Sequence, residues 1–369
     1  MHTIAIFGAG KVGEAAVSLL AESGRYTIRV CDARLERAHV VAMLCATASA
    51  HKLDLSDQAA TDELLRGCDA VLSALPFTCT LAVAQRAVAN GVHYFDLTED
   101  VATAQAIHDQ FGGAGTVCMP QCGLAPGFIS IAGAHLMRTF DVVDSATLRV
   151  GALPIYPTNR LKYNLTWSTE GLINEYIRDG RAIADGAIVH TKSLEGYERC
   201  TIDGDEYEAF NTSGGLGTLA QSFVGKVRSL EYKSIRHVGH CELMKFLLHD
   251  LRFSNDSETL RQVFERSIPT TAQDKVLVFA EATGTANGYL RQRTYVSTIY
   301  NRVVNHKHLS AIQLTTAASA LAVIDLFLSN EVRKRSGFLR SEEISLFDFL
   351  DNEFGKQLRD ERALAGIVL

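Results

Sequence analysis

The clearest chemistry in this chain lies in its first thirty-two residues. An apolar run from His2 to Phe7 leads into Gly8-Ala9-Gly10-Lys11-Val12-Gly13 and a helical stretch to about Ala21. A second apolar run, Thr27 to Cys31, then ends on Asp32. G-x-G-x-x-G between strand and helix, with an acid closing the next strand, is the pattern of an adenine-dinucleotide site. Gly8 permits the tight turn, Gly10 lets the backbone approach a pyrophosphate, and Gly13 allows close helix–strand packing. The helix N-terminus at Lys11 and Val12 faces the phosphates. Asp32 can accept from both ribose hydroxyls and repels a 2′-phosphate, which favours NAD. Arg34 and Arg37 follow closely and keep NADP open. The bland alternative is a Gly-rich turn that binds nothing.

The elements that would position this loop alternate strand and helix. Leu53-Asp54-Leu55, after a third strand, is placed for the adenine, with Asp54 accepting from its exocyclic amine. Val71 to Pro76 reads as a fourth strand, Leu81 to Asn90 as a helix closed by Gly91, and His93 to Asp96 as a fifth strand. Val101 to Phe111 is helical and Thr116 to Met119 is a sixth strand. Ligands of such sheets bind beyond the carboxyl ends of the strands. That rule puts Leu75, Pro76 and Phe77 beside the cofactor, and Asp96, Leu97, Thr98 and Cys122 beside the substrate.

The period then changes. Asp144 to Gly151 reads as a strand and Thr169 to Asp179 as a helix. Ala187 to His190, Tyr197 to Ile202 and Lys233 to Val238 suggest an antiparallel sheet. His240 to Leu251 reads as a helix. Lys275 to Thr283 and Leu290 to Val296 are strands, joined by a turn from Gly284 to Gly288. Gln313 to Leu328 is an Ala-rich apolar helix expected to pack on the nucleotide domain. The expected fold class is α/β: a Rossmann-type parallel sheet plus an α+β substrate domain. The expected boundaries are 1–124 with about 310–369 for the nucleotide domain, and about 125–309 for the other.

Bulk properties narrow the function. The 369 residues are 47% hydrophobic and 21% charged, as in an ordinary globular protein, and long enough for two domains. The net charge of −6 argues against nucleic-acid or anionic-membrane partners. The first strand begins at His2, so no signal or transit segment is expected, and charges interrupt the apolar stretches, so no membrane span is expected. Eight scattered cysteines suit reduced thiols in a cytoplasmic protein. Cys118 and Cys122 have no second pair at ligand spacing, so no metal site is expected.

Several further stretches carry a resemblance. They are Gly123-Leu124-Ala125-Pro126-Gly127-Phe128, Lys162 to Ser168, Ala209 to Gly217, Ser234 to Glu242 and the helix from Ser310 to Asp325. Together they resemble the saccharopine dehydrogenase family, especially its reductase branch and the related lysine 6-dehydrogenases, over nearly the whole chain. The resemblance implies a nicotinamide-dependent oxidoreductase acting on a carbon–nitrogen bond of an amino acid. It also implies a nucleotide domain completed by the C-terminal segment, and commonly a homodimer. One departure stands out: the similar reductases carry Asp-Pro where this chain has Ala125-Pro126. The Asn211-Thr212-Ser213 stretch also lacks the arginine that they place near the substrate carboxylate. Both changes look more like the lysine 6-dehydrogenase branch.

Oxidising an amine requires hydride transfer from the C–H beside nitrogen and a group that takes up a proton. Asp96 could hold the substrate ammonium or accept that proton; alternatively Asp96 or Thr98 is a helix cap. Lys162 could pair with a carboxylate or donate a proton, or it is a solvated lysine. Arg236 matches a substrate-contacting stretch of the reductases, and its planar fork suits an α-carboxylate; the alternative is a surface ion pair. Thr212 and Ser213 could bind substrate or simply form a turn of small residues. Trp167 is expected in the core, and His237 and His240 in structural roles. The leading expectation is oxidative deamination of a lysine-like amino acid at its terminal amine, giving a semialdehyde. The alternatives are a saccharopine dehydrogenase and, from another class, a nucleotide-binding protein without turnover.

Overall fold

The computed structural model describes residues 1–359; positions 360–369, the end of the segment expected to complete the nucleotide domain, lie outside the described residues. The chain divides into two compact units. The first comprises Met1–Ile131, Val303–Leu309 and Gln313–Leu358; the second comprises Ala132–Arg302 and Ser310–Ile312.

The first unit is built on β1 (His2–Phe7), β2 (Tyr26–Asp32), β3 (Ala48–Lys52), β4 (Ala70–Ser73), β5 (His93–Asp96) and β6 (Val117–Met119). With a short final strand, Gly337–Phe338, these form a parallel sheet in which β1 lies between β2 and β4. The central strands β1 and β4 are apolar runs without alternation because both faces are covered: Ile4, Ala5, Ile6 and Phe7 are all fully buried. The covering helices include α1 (Lys11–Ser23), α2 (Leu35–Ala42), α3 (Gln58–Leu65), α4 (Phe77–Ala89) and α5 (Val101–Phe111). The strand order reverses between β1 and β4, so the crevice beyond their carboxyl ends is the ligand position of this architecture.

One boundary departs from expectation in a way that matters. The fourth strand ends at Ser73, not Pro76, and the helix begins at Phe77, four residues before Leu81. Pro76 takes the N-cap position, where its missing N–H costs nothing. Pro76 and Phe77 therefore sit at a helix N-terminus rather than on a strand.

The second unit carries β7 (Val142–Pro154), β8 (Gly180–Ala184), β9 (Ala187–Thr191), β10 (Glu198–Ile202), β11 (Asp205–Asn211), β12 (Val227–His237), β13 (Asp274–Ala286) and β14 (Tyr289–Tyr300). The main path runs β10-β11-β12-β7-β13-β14, with β8 pairing with β12 and β9. The sheet is mixed, not antiparallel as expected, because β12 runs parallel to β7. The expected turn over Gly284–Gly288 shrinks to Asn287-Gly288, both at positive φ, the two-residue hairpin turn that matches strand twist. Gly284 stays in the strand at a register shift, where a Cβ would lie 2.4 Å from the Val142 carbonyl oxygen. Helices α6 (Phe128–Arg138), α7 (Thr169–Ile177), α8 (Leu219–Phe223), α9 (His240–Lys245) and α10 (Ser257–Ser267) follow in chain order. The expected helix to Leu251 is α9 continued by a π-helical turn, Phe246–Asp250.

Helix α11 (Ala311–Leu328) is apolar all round, with mean hydropathy 1.7. Among the described residues it is the one helix long and apolar enough to cross a membrane, and it is 83% buried inside the protein, as a core helix is. Its Phe327 ring packs on Phe95 and His93, and its Asp325 accepts from Tyr26 and Asn352. At its other end, the fully buried Asp274 accepts from the amides of Ala311 and Ile312 at 2.6 and 3.2 Å. Burial pushes this carboxyl from 3.8 up to about 6, the two amides opposing the rise.

Two outcomes follow for Asp274. Asp274→Ala removes the acceptor from the first turn of α11 and is expected to cost about 1–3 kcal/mol in urea unfolding. Because the folded pKa lies above the free value, folding takes up a proton here. The stability this group contributes is complete below about pH 4 and is lost as pH rises through about 6. Asp274→Asn should therefore flatten the stability–pH curve between those values by up to one proton.

Candidate active site

The Gly-rich loop is shaped by close approaches. Gly8 has φ +103°, and a Cβ there would lie 2.7 Å from the Ala74 carbonyl oxygen. A Cβ on Gly13 would lie 1.9 Å from the Gly8 carbonyl oxygen, so any side chain would push α1 off the strand. Gly10 differs: nothing stands within 4 Å of its Cβ position, leaving that side of the loop open. Gly10 caps α1 without a side-chain hydrogen bond, so the first-turn amides Lys11, Val12 and Gly13 receive no cap. The same holds for α2, capped by Arg34, and α4, capped by Pro76. By contrast, Asp57 caps α3 and Asp100 caps α5. The uncapped helices are those that follow β1, β2 and β4, beside the crevice. Open loop and free helix start together fit a pyrophosphate. At the end of β4, the buried Ser73 hydroxyl has no hydrogen-bond partner among the described residues.

Asp32 is tied to the loop it was expected to complement. Its Oδ2 accepts from the Ala9 amide at 2.8 Å and its Oδ1 from the Arg34 amide at 2.9 Å. Each oxygen retains a second lone pair for a ribose hydroxyl. Arg37 holds the next peptide of the loop, its Nε donating to the Ala9 carbonyl at 2.8 Å. Leu75 packs on Gly8, within 3.2 Å of the Cβ position. Leu55 packs on the nucleotide-domain core. Asp54 Oδ1 closes a turn on Ser56, accepting from the amide at 3.0 Å and the hydroxyl at 2.6 Å. Those bonds hold its pKa below the usual range, and the carboxylate is exposed on its loop.

Asp96, Thr98 and Cys122 come together as one buried knot. Asp96 is 1% exposed and accepts from Tyr94 Oη at 2.7 Å, Thr98 N at 2.9 Å and Gln121 N at 3.0 Å. Burial pushes its pKa up to about 6 against those three bonds. The Cys122 amide and thiol both donate to the Asp96 carbonyl, at 3.0 and 2.9 Å. The Thr98 hydroxyl accepts from Asp100 N, and Asp100 is the residue that caps α5. These contacts commit the Asp96 carboxylate to groups of the protein and tie the end of β5 to the loop after β6. The buried Cys122 thiol, whose pKa burial raises well above the ordinary value, points at backbone.

In the second unit, alternation along β12 places Tyr232, Ser234 and Arg236 on one face. Arg236 is 3% exposed. Its Nε donates to Tyr176 Oη at 2.7 Å and its Nη1 to the Ile235 carbonyl at 2.8 Å. The guanidinium lies 5.6 Å from the ring centres of both Tyr163 and Tyr176. Its carboxylate contact is Glu175, at 3.7 Å, longer than a hydrogen bond. A relay holds Tyr176: the Leu161 carbonyl can only accept, so His240 Nδ1 carries the proton (2.8 Å). His240 Nε2 then accepts from Tyr176 Oη at 3.0 Å. Burial, with the Arg236 charge, lowers the His240 pKa to about 3 and keeps the ring neutral. Glu208 fixes the turn carrying His240 by accepting from Gly239 N and Cys241 N at 2.7 and 2.6 Å.

The other expected substrate residues lie around this cluster. Thr212 Oγ1 shares a 2.8 Å hydrogen bond with Ser234 Oγ, and the Ser213 amide donates to the Glu175 carbonyl at 3.1 Å. The glycines after them have a packing cause, since a Cβ on Gly215 would lie 2.2 Å from the Tyr232 ring. Lys162 is exposed, at φ +53°, and donates to the Val238 carbonyl at 2.8 Å. Trp167 packs beside Tyr163 and donates to its Oη at 3.0 Å. Sequence reasoning missed Glu175, Tyr176 and Glu208. Their partners are distant in the chain, and no local pattern marks them. All eight cysteines are free, and the described residues contain no grouping that would hold a metal.

Comparisons with known proteins agree with this architecture. Residues 4–119 match the model of the saccharopine dehydrogenase NADP binding domain, and residues 123–359 match that of the saccharopine dehydrogenase C-terminal domain. The saccharopine dehydrogenase [NADP(+), L-glutamate-forming] of Schizosaccharomyces pombe is 23% identical over 198 residues, covering 51% of this chain and 43% of that protein. Its Pyricularia oryzae counterpart is 25% identical over 203 residues, covering 52% and 44%. The matches thus span less than half the length of these curated relatives. Apo saccharopine dehydrogenase (L-Glu forming) from Saccharomyces cerevisiae superposes with TM-score 0.77 at 18% identity, covering 98% of each chain. The homospermidine synthase of Legionella pneumophila, solved with NAD, gives 0.70 at 13% identity, covering 97% of this chain and 89% of its own. Those two likenesses are of fold, whereas the two domain models together cover nearly all the described residues: this chain belongs to the saccharopine dehydrogenase family.

Proposed function

We propose that this chain is a nicotinamide-dependent oxidoreductase acting on a carbon–nitrogen bond of an amino acid, with Arg236 holding the substrate carboxylate. The observation that carries the reading is a guanidinium 3% exposed whose carboxylate contact is 3.7 Å away. A buried cation whose ion pair is this long is only partly compensated, and an incoming carboxylate relieves the remaining cost. Tyr163 and Tyr176 fix the plane of the fork, and neutral His240 fixes Tyr176. The cofactor, when bound, supplies the hydride acceptor. Gly8, Gly10, Gly13 and Asp32 would hold it, with the α1 amides on the pyrophosphate. Lys162 is the proposed proton-handling group.

In its finer form the reading is oxidative deamination of a lysine-like amino acid at the terminal amine, with NAD preferred and a homodimer as the working state. Ala125 supports it, standing where the similar reductases carry an acid, and Asp32 supports the cofactor preference. A second reading, saccharopine dehydrogenase, is favoured by the names of the curated relatives.

Following NADH formation first on L-lysine and then on saccharopine separates the two. Turnover on lysine is expected; turnover on saccharopine alone establishes the second reading, and tight NADH binding without turnover on any amine removes both. Arg236→Met should raise KM by about tenfold to a hundredfold, the value of a charged hydrogen-bonded contact, with dinucleotide affinity unchanged. Arg236→Lys should not rescue it, since an ammonium cannot serve Tyr176 and a carboxylate with one planar fork.

A further inference from the structure

The surroundings of the ribose position contain more positive charge than the G-x-G-x-x-G motif requires. Arg34, Arg37 and Lys307 all belong to the first unit, and such side chains would suit a 2′-phosphate. The domain model that residues 4–119 match is itself described as NADP binding. Two of the three cations, however, are turned onto one carboxylate. Glu14, in the first turn of α1, accepts from Arg37 Nη2 at 2.5 Å through Oε2 and pairs with Lys307 Nζ at 3.1 Å through Oε1. Arg37 is further committed through Nε to the Ala9 carbonyl. The side chain of Glu14 is only 20% exposed and that of Arg37 31%. Arg34 faces outward, 75% exposed and 3.7 Å from Asp32, while Lys307 is 42% exposed.

We propose that Glu14 is a cofactor-selectivity residue: it withholds Arg37 and Lys307 from the 2′ position, so that the chain favours the dinucleotide lacking a 2′-phosphate. The inference rests on the reading of this loop as a nicotinamide-dinucleotide site. Asp32 repels the phosphate directly. Glu14 acts one step back, by neutralising and orienting the cations that would otherwise offset Asp32. Its place one turn from the Gly-rich loop, at the positive end of α1, keeps it ionised for that purpose; Arg37 and Lys307 hold its pKa below the usual range although burial opposes them.

The test is calorimetric titration of the full chain with ADP-ribose and 2′-phospho-ADP-ribose, which differ only in the phosphate. The wild type is expected to bind ADP-ribose more tightly. Removing one nearby unit charge in Glu14→Gln should tighten 2′-phospho-ADP-ribose about tenfold while ADP-ribose changes less than about twofold. In Glu14→Gln/Arg37→Gln/Lys307→Gln, which removes both released cations, that gain should disappear. A ratio unchanged in Glu14→Gln, with ADP-ribose still bound, overturns the proposal, as does a gain that survives in the triple variant. If Glu14→Gln does not fold, Arg37→Gln alone decides: the ratio of the two affinities should stay as in the wild type, and a fall means that Arg37 already serves the phosphate. A wild type that binds neither nucleotide removes the dinucleotide site itself, and the selectivity role with it.

Discussion

The first unit depends on one loop residue, Ala9, held at both of its peptide groups. The Ala9 amide donates to Asp32 and the Ala9 carbonyl accepts from Arg37. Gly8 can turn only because it has no Cβ to meet Ala74, and Gly13 can follow only because it has none to meet Gly8. With the middle of the loop pinned and both flanks stripped to backbone, the remaining freedom is outward, at Gly10. The start of α1 is thus presented without a side-chain cap. An uncapped helix start is a standing demand for hydrogen-bond acceptors, which a pyrophosphate meets.

The second unit poses the complementary problem, a buried cation. Arg236 is kept charged where burial works against it by two tyrosines, a carbonyl and Glu175. The supporting residues are themselves held: Tyr176 by His240, His240 by the Leu161 carbonyl, and the turn carrying His240 by Glu208. Each link satisfies a buried polar group that would otherwise be costly. The result is a guanidinium of fixed orientation. Asp96 has a parallel role in the first unit, where its carboxylate accepts from Tyr94, Thr98 and Gln121 and so joins the end of β5 to the loop that carries Gln121 and Cys122.

Local pattern and tertiary context contributed differently to these sites. The parallel sheet was legible because β1, β2 and β4 are short, largely apolar runs, and the Gly-rich loop because its spacing follows directly from backbone geometry. The α4 boundary was not, since Ala74-Leu75-Pro76 continues the apolar run and only the chain path shows where it bends. The turn before β14 was misjudged because five small residues look alike, whereas only Asn287-Gly288 takes the positive φ pair. The parallel pairing of β7 and β12 depends on segments some eighty positions apart, as the register Val143 to Val227 records.

For the side chains, the sequence alone determined which residues could do chemistry: glycines without steric claims, Asp32 at a strand end, Arg236 within a stretch of recognisable type. Folding decided what each is still able to do. The polar atoms of Asp96 and Cys122 found partners inside the protein, and Arg37 turned to Glu14 and Ala9. Spacing along a chain reports which groups are present. Whether a carboxylate or guanidinium remains available to a ligand depends on hydrogen bonds made across tens to hundreds of residues, and those exist only once the chain has packed.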